Sequence, residues 1–265
     1  MHTPLHHFAV SLVCLGTLTL TPLAFARVAV APSPAEQRIV DLANQTRATL
    51  GLSTLKWDSD LALAARLHAE RVAAEHTISH QFPGEPNLTS RAAIAGVHFS
   101  LIEENVAVAA MPEVIHDEWM HSEHHHANLV NPDIDTIGVS VIESPDGLYA
   151  VADYAESVTV LTAEQIEAKV TALLVATGVA VITEAEAVAA LRTSCLQDSG
   201  VPPGTKPNHF IMRWQSASLS ELPDELASRI LSRGYKKAAV GACFPPAADG
   251  EDASFTSYHV AVLVF

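Results

Sequence analysis

Positive charge is in short supply in this chain: 15 lysines and arginines stand against 30 aspartates and glutamates, a formal net charge of −15 at pH 7. That shortage excludes nucleic acid and anionic membrane surfaces as partners, since both call for basic patches. The acidic balance suits solubility and, locally, cation binding. Neither a G-x-S-x-G elbow nor an H-E-x-x-H motif occurs, which removes the usual signatures of a serine hydrolase and of a zinc peptidase. Charge is missing altogether from residues 1–26, which hold no Asp, Glu, Lys or Arg. There an apolar run from Phe8 to Leu20 leads to Ala24-Phe25-Ala26, the A-x-A exit of a secretory signal peptide, with cleavage after Ala26. Its start carries His2, His6 and His7 in place of Lys or Arg. An uncleaved anchor is the competing reading, and Pro22 with the small-residue exit favours cleavage. No later stretch approaches the ~20 apolar residues of a membrane span. The expectation is an exported protein, extracellular or periplasmic, with no membrane span in the mature chain.

Cysteine is also scarce, with three in the whole sequence. Cys14 leaves with the signal segment, and Cys195 with Cys243 is the one disulfide candidate of an exported chain. The alternative is a pair of buried free thiols.

Histidine, by contrast, is concentrated. The stretch Glu118–Pro132, EWMHSEHHHANLVNP, places His121, His124, His125 and His126 within six positions. Imidazole keeps a lone pair near neutral pH and is the commonest metal ligand. Such a cluster is not what a plain core or a plain solvated face needs.

Two unequal parts follow the signal segment. In the first, Pro34 opens a helix with Ile39, Leu42, Ala43, Thr46 and Leu50 at helical spacing, stopped by Gly51. Leu55-Lys56-Trp57 is a short extended link, and Asp58 caps a second, alanine-rich helix running to about His76. A polar loop (79–90), a short helix near 91–95 and a helix from Pro112 to about Ser122 come next. Two alternating runs, Thr136–Ile142 and Leu148–Tyr154, flank Ser-Pro-Asp-Gly as a hairpin. Helices first and antiparallel strands late point to an α+β sandwich, not a βαβ fold. In the second part, Thr162-x-x-Gln165 and Thr183-x-x-Glu186 are capping-box patterns. The strand-like runs Phe210–Trp214, Ala238–Cys243 and Tyr258–Phe265 and a helix near 222–231 complete it. Its final pair, with Val240-Gly241-Ala242, echoes Ile137-Gly138-Val139 of the first part. A degenerate repeat is one reading; convergent strand composition is preferred.

An ordered series runs through the first part: Asn44-x-x-Arg47, Gly51-Leu52, Leu55-Lys56-Trp57, His68-Ala69-Glu70, Ser79-His80, Glu104-Asn105-Val106-Ala107, Trp119-Met120 and His125-x-Ala127-Asn128. It resembles the CAP superfamily of cysteine-rich secretory, antigen 5 and pathogenesis-related 1 proteins, in its bacterial secreted (SCP-domain) form, over about residues 34–156. Residues 157–265 resemble no family we recognise. The resemblance implies an α+β fold, a CAP-type α-β-α sandwich with a central antiparallel sheet, beside a smaller α/β C-terminal region. It also implies a cleft lined by two histidines and two acids that can hold Zn²⁺ or another divalent cation. Carried over by position, His80, Glu104 and His125 are cleft residues. The second acid of the eukaryotic members falls here on Ser122, so the set is incomplete.

If the helix continues past Trp119, Glu118, His121, Ser122 and His125 share one face, and Glu118 or His121 can fill the gap. Glu123 is one residue from the missing position but points about 100° away on a helix. If the chain breaks near Ser122, the face argument fails. His68 is expected to be a satisfied core histidine, His76, His124 and His126 to be solvated, and Trp57 and Trp119 to be core. Three activities stay open. One is a secreted binding module for a small apolar, lipid or peptide-like ligand. Another is a metal-assisted hydrolase with Glu104 as base. The third is an extracellular interaction protein acting through 157–265.

Overall fold

The computed structural model describes residues 30–197, 199–205, 208–244 and 256–265; the signal-peptide expectation for 1–26 lies outside them. Helix α1 (Pro34–Thr49) begins as the capping chemistry demands. Ser33 accepts from the Glu36 N–H, and the Glu36 carboxylate accepts from the Ser33 N–H at 2.7 Å, satisfying two otherwise orphaned donors. The Asp58 carboxylate accepts from the backbone of Asp60 and Leu61 to start α2 (Ser59–Glu75). Between them lies β1 (Lys56–Trp57), followed after α2 by α3 (Leu88–Ala95), β2 (Phe99–Ala109), α4 (Pro112–His121), α5 (Glu123–Val130), β3 (Thr136–Ser144) and β4 (Gly147–Ser157).

The sheet order is β1-β3-β4-β2. Strands β3, β4 and β2 are antiparallel, as expected, but β1 joins β3 in parallel through Lys56–Thr136 and Trp57–Ile137, so the sheet is mixed. A two-residue strand carries no alternation by which to read its direction. Strand alternation sends Ile137, Val139, Ala150, Ala152 and Tyr154 to one face, against α1, α4 and α5 through Ile39, Ala43, Ile115, Trp119 and Leu129. The other face meets α2 and α3 through Leu61, Ala65, Val72 and Ala92. This is an α-β-α sandwich. Trp119 is fully buried in it. Trp57 is only half-buried, its indole N–H donating to the Val30 carbonyl.

Gly138 is where the layers come closest. A Cβ on it would stand 2.1 Å from the Ala62 nitrogen, so only glycine admits α2 at this distance.

Residues beyond 157 repeat this winding. Helix α6 (Ala163–Ala176), β5 (Ala180–Val181), α7 (Ala185–Ser194), β6 (Phe210–Ser216), α8 (Asp224–Arg233), β7 (Lys237–Cys243) and β8 (Tyr258–Val264) follow in order. Their sheet runs β5-β7-β8-β6, with β5 parallel to β7 and the other pairs antiparallel. Helices α6 and α8 cover one face through Ile166, Val170, Leu226 and Ile230; α7 covers the other through Leu191. Gly241 admits α7 as Gly138 admits α2, with a Cβ falling 2.6 Å from the Arg192 nitrogen. Even an edge contact recurs. The Val141 N–H donates to Glu36 of α1, and the Ala242 N–H donates to Glu167 of α6. Convergent strand composition does not produce one connection order twice, so the repeat reading replaces it.

The Thr162 capping box forms as expected. The one expected at Thr183 does not: α7 starts one residue later, after Glu184, with no side-chain cap. Cys195 and Cys243 are bonded, joining the end of α7 to the end of β7 across 48 residues, a closure worth about 4 kcal/mol on chain-entropy grounds. No helix among the described residues is long and apolar enough to cross a membrane.

Candidate functional site

The loop after α2 is fixed from beneath by His68. This side chain is fully buried and uses both ring nitrogens, Nδ1 with Glu85 Oε1 and Nε2 with the Ser79 carbonyl, each at 2.7 Å. It is the satisfied core histidine its place on an apolar helix face suggests. Glu85 also accepts from the Phe82 N–H at 3.0 Å, closing the loop on itself. From α3, Arg91 reaches the same loop, donating to the carbonyls of Pro86 at 3.1 Å and His80 at 3.4 Å. These contacts hold His80 at the surface, its side chain 59% exposed.

His80 Nδ1 lies 2.8 Å from Glu104 Oε1. The other Glu104 oxygen accepts from Arg91 Nη2. Glu104 is thus held on both sides, and its side chain is 3% exposed. Strand β2 also holds the far wall. Asn105 Nδ2 donates to the His125 carbonyl at 2.9 Å, and Asn128 Nδ2 donates to the Glu104 carbonyl and to Asn105 Oδ1 at 3.0 Å each. That lattice seats α5 so that the His125 ring faces His80, with centroids 6.3 Å apart. His80, Glu104 and His125 therefore come together, from a loop, a strand and a helix.

The residues proposed to fill the fourth place do not reach it. Ser122 has extended backbone (φ −97°, ψ 121°) and separates α4 from α5, so no continuous face links Glu118, His121 and His125. Glu118 and Glu123 are exposed. The His121 side chain is 77% exposed and turns back on the Asp117 carbonyl at 2.8 Å. His124 is exposed, His126 is half-buried, and His76 pairs with Asp146 and Tyr149. A structural cation needs about four converging donors. Among the described residues no three His, Cys, Asp or Glu side chains are so placed, and the Glu104 carboxylate is already neutralised by Arg91. The donor set does not fit a resident Zn²⁺ or other divalent cation.

Two members of the site escaped the sequence reading. Arg91 is one: it is 2% exposed and lies beside the buried Ala92 of α3, a cation where the face is otherwise small and apolar. Asp153 is the other. It sits opposite Glu104 in the β2–β4 register, fully buried, with neither carboxyl oxygen hydrogen-bonded. The signal was an acid at an inward position of an alternating strand, between Val151 and Ala155.

Burial, and then the negative charge of Glu104, raise the Asp153 carboxyl well above its usual range. The folded state therefore holds a proton that the unfolded chain releases above about pH 4. Asp153 favours folding most below that pH, and the advantage fades as pH rises through the folded value. Asp153→Asn removes the dependence. Its melting temperature relative to wild type should climb as pH rises above about 4 by calorimetry; a constant difference would contradict the assignment.

The two cleft histidines are driven apart. The hydrogen bond to Glu104 raises His80 despite its partial burial. Burial, and then positive charge on His80 and His124, lower His125. In a proton NMR titration His80 should titrate above the ordinary 6.5 and His125 below it. Glu104→Gln should bring the two values together.

Comparisons with known proteins coincide with this region. Residues 40–154 match the cysteine-rich secretory protein family, CAP. Over 110 residues the chain is 31% identical to the uncharacterized protein YkwD of Bacillus subtilis (strain 168), covering 41% of this chain and 43% of that one. Among solved structures it is similar to an extracellular protein containing an SCP domain from Bacillus anthracis str. Ames, at 27% identity and a TM-score of 0.44, covering 46% of this chain and 40% of that one. An outer surface protein from Borrelia burgdorferi aligns at 22% identity and a TM-score of 0.44, over 48% of this chain and 96% of that one. The chain thus spans less than half the length of the two Bacillus proteins that it matches.

Proposed function

We propose, from the match of residues 40–154 to the CAP family, that the protein is an exported binding module whose His80–His125 cleft captures a peptide-like ligand without breaking a bond. The carrying observation is the commitment of Glu104. With one oxygen on His80, the other on Arg91 and almost no exposure, its carboxylate is not open to a water molecule as a general base must be. What the cleft offers instead is a half-open pair of imidazoles on a braced frame. His80, kept protonated further up the pH scale by Glu104, is a donor for a peptide carbonyl. His125, kept neutral, presents an acceptor as well. A resident cation has no part in this reading.

Incubation of the full chain with a defined peptide library, followed by mass spectrometry of bound and free fractions, tests it. Intact peptides should be enriched by wild type and not by His80→Ala/His125→Ala. Fragments that appear with wild type and vanish with Glu104→Ala would replace binding by hydrolysis, and no enrichment at all would remove the cleft as a peptide site.

A further inference from the structure

The two repeats differ most at one place. In the first, α3 lies along the N-terminal half of α2 and fills the space above the sheet there. Ala92, Ala95 and Val97 pack with Leu61, Ala64, Phe99 and Ala155. In the second, no helix stands among the described residues between α7 and β6. The corresponding space, bounded by the N-terminal part of α7, the late end of β8 and the start of β7, is a cavity of about 590 Å³. Its walls are mainly apolar, with Ala187, Ala190 and Leu191 from α7 and Ala239, Leu263 and Phe265 from the sheet side; the loop before β6 closes a third side with Pro202, Pro203 and the polar Thr205 and His209. That volume and lining fall in the range of small-molecule sites, roughly 300–1,000 Å³.

The cavity is held open. Gly241 already brings the middle of α7 to the limit of approach on β7. The disulfide ties the end of α7 to Cys243, and Arg192 is anchored on Glu167 at 2.7 Å. Arg213 braces the following loop, donating to the carbonyls of Ser194 at 2.6 Å and Gly200 at 2.8 Å. Helix α7 therefore has no freedom to tilt inward and close the space, and a cavity with such walls favours an apolar occupant over water.

We propose that this cavity is a binding site for a neutral, compact apolar molecule, separate from the His80–His125 cleft. Charge at the mouth selects against the ionised alternatives. Among the described lining residues, the two carboxylates Glu184 and Glu186 stand against one ammonium, Lys237, with His209 beside them, so an anionic headgroup meets net negative charge there. A cation would have to shed water against apolar walls beside that lysine.

Fluorescence titration of the full chain with the neutral dye N-phenyl-1-naphthylamine tests the proposal, with the anionic dye 8-anilinonaphthalene-1-sulfonate as comparison. Wild type should bind the neutral dye saturably, one per chain, and the anionic dye at least about tenfold more weakly, a difference of about 1.4 kcal/mol. Ala190→Trp fills the cavity and should abolish binding, while His80→Ala/His125→Ala should leave it unchanged. If Ala190→Trp fails to fold, the exposed-rim variant Glu186→Lys serves in its place. It should narrow the preference for the neutral dye. Absence of saturable binding, or loss of binding only in the His80/His125 variant, would overturn the proposal.

Discussion

Arg47→Ala should lower the melting temperature of the first repeat by about 10–20 °C, a loss of about 4 kcal/mol. The guanidinium is fully buried on α1. It donates to four carbonyls at once: Ser53 at 2.7 Å, Leu129 at 2.9 Å, Asn131 at 2.8 Å and Ile134 at 3.3 Å. Those carbonyls belong to the turn after α1, to the last turn of α5 and to the stretch joining α5 to β3, so one side chain sews three parts of the chain together. Truncation leaves buried acceptors without donors, and each such group costs about 1–3 kcal/mol. Lysine is no substitute, because a single ammonium cannot reproduce a planar fork of donors; Arg47→Lys should recover less than half of the loss. Thermal unfolding followed by circular dichroism provides the check. A shift of less than about 3 °C for Arg47→Ala would mean that water replaces the guanidinium.

Gly138→Ala should be at least as damaging. The added carbon would fall 2.1 Å from the Ala62 nitrogen and 2.3 Å from the Leu61 carbonyl carbon, both backbone atoms of α2. Neither can rotate away, so α2 must lift off the sheet, with a cost above the usual ~1–3 kcal/mol of overpacking. Lifting it also disturbs His68, and with it the loop that presents His80. Loss of the separate His80 and His125 NMR titrations should therefore accompany loss of stability. Gly241→Ala should act in the same way on the second repeat, where a Cβ would meet Arg192 N and Leu191 Cβ at 2.6 Å. Gly84→Ala is the control: φ there is +79° with nothing within 4 Å of a Cβ, and the cost should stay near 1 kcal/mol.

These two residues also mark what the sequence discloses and what it hides. Local signals were legible. Pro34 at the head of α1, Asp58, the Thr162-Gln165 pair and the β3–β4 hairpin are each set by neighbours within a few positions. The motif series also pointed to His80, Glu104 and His125 as cleft residues, and the fold brings them together. Relations between distant segments were not legible. Arg47 belongs to the quoted Asn44-x-x-Arg47 pattern, but its four acceptors lie up to 87 residues away. Arg91 and Asp153 became part of the site only once β2, β4 and α3 were packed together. The helix end near Ser122 was legible, and of the two alternatives left open there the break is the one that forms. The repeat was visible only as a Gly-centred tripeptide followed by a Tyr-led run in each half, Tyr149–Ala152 and Tyr258–Ala261; its proof is the order of the strands, which no local pattern encodes.

That order also governs when each half can be completed during synthesis. In both repeats the last strand to be made, β4 or β8, is a central one, pairing with β3 and β2 in one case and with β7 and β6 in the other. Neither sheet can assemble before its closing strand arrives, since β2 and β6 have no other partner within their sheets. The first repeat has all its strands once Ser157 emerges, more than a hundred residues before β8 does. A chain delivered from its amino terminus can therefore finish one sheet before the strands of the other exist to compete with it. Two sheets of identical strand order are otherwise well suited to exchanging strands, and the lag between them keeps each strand with its own sheet.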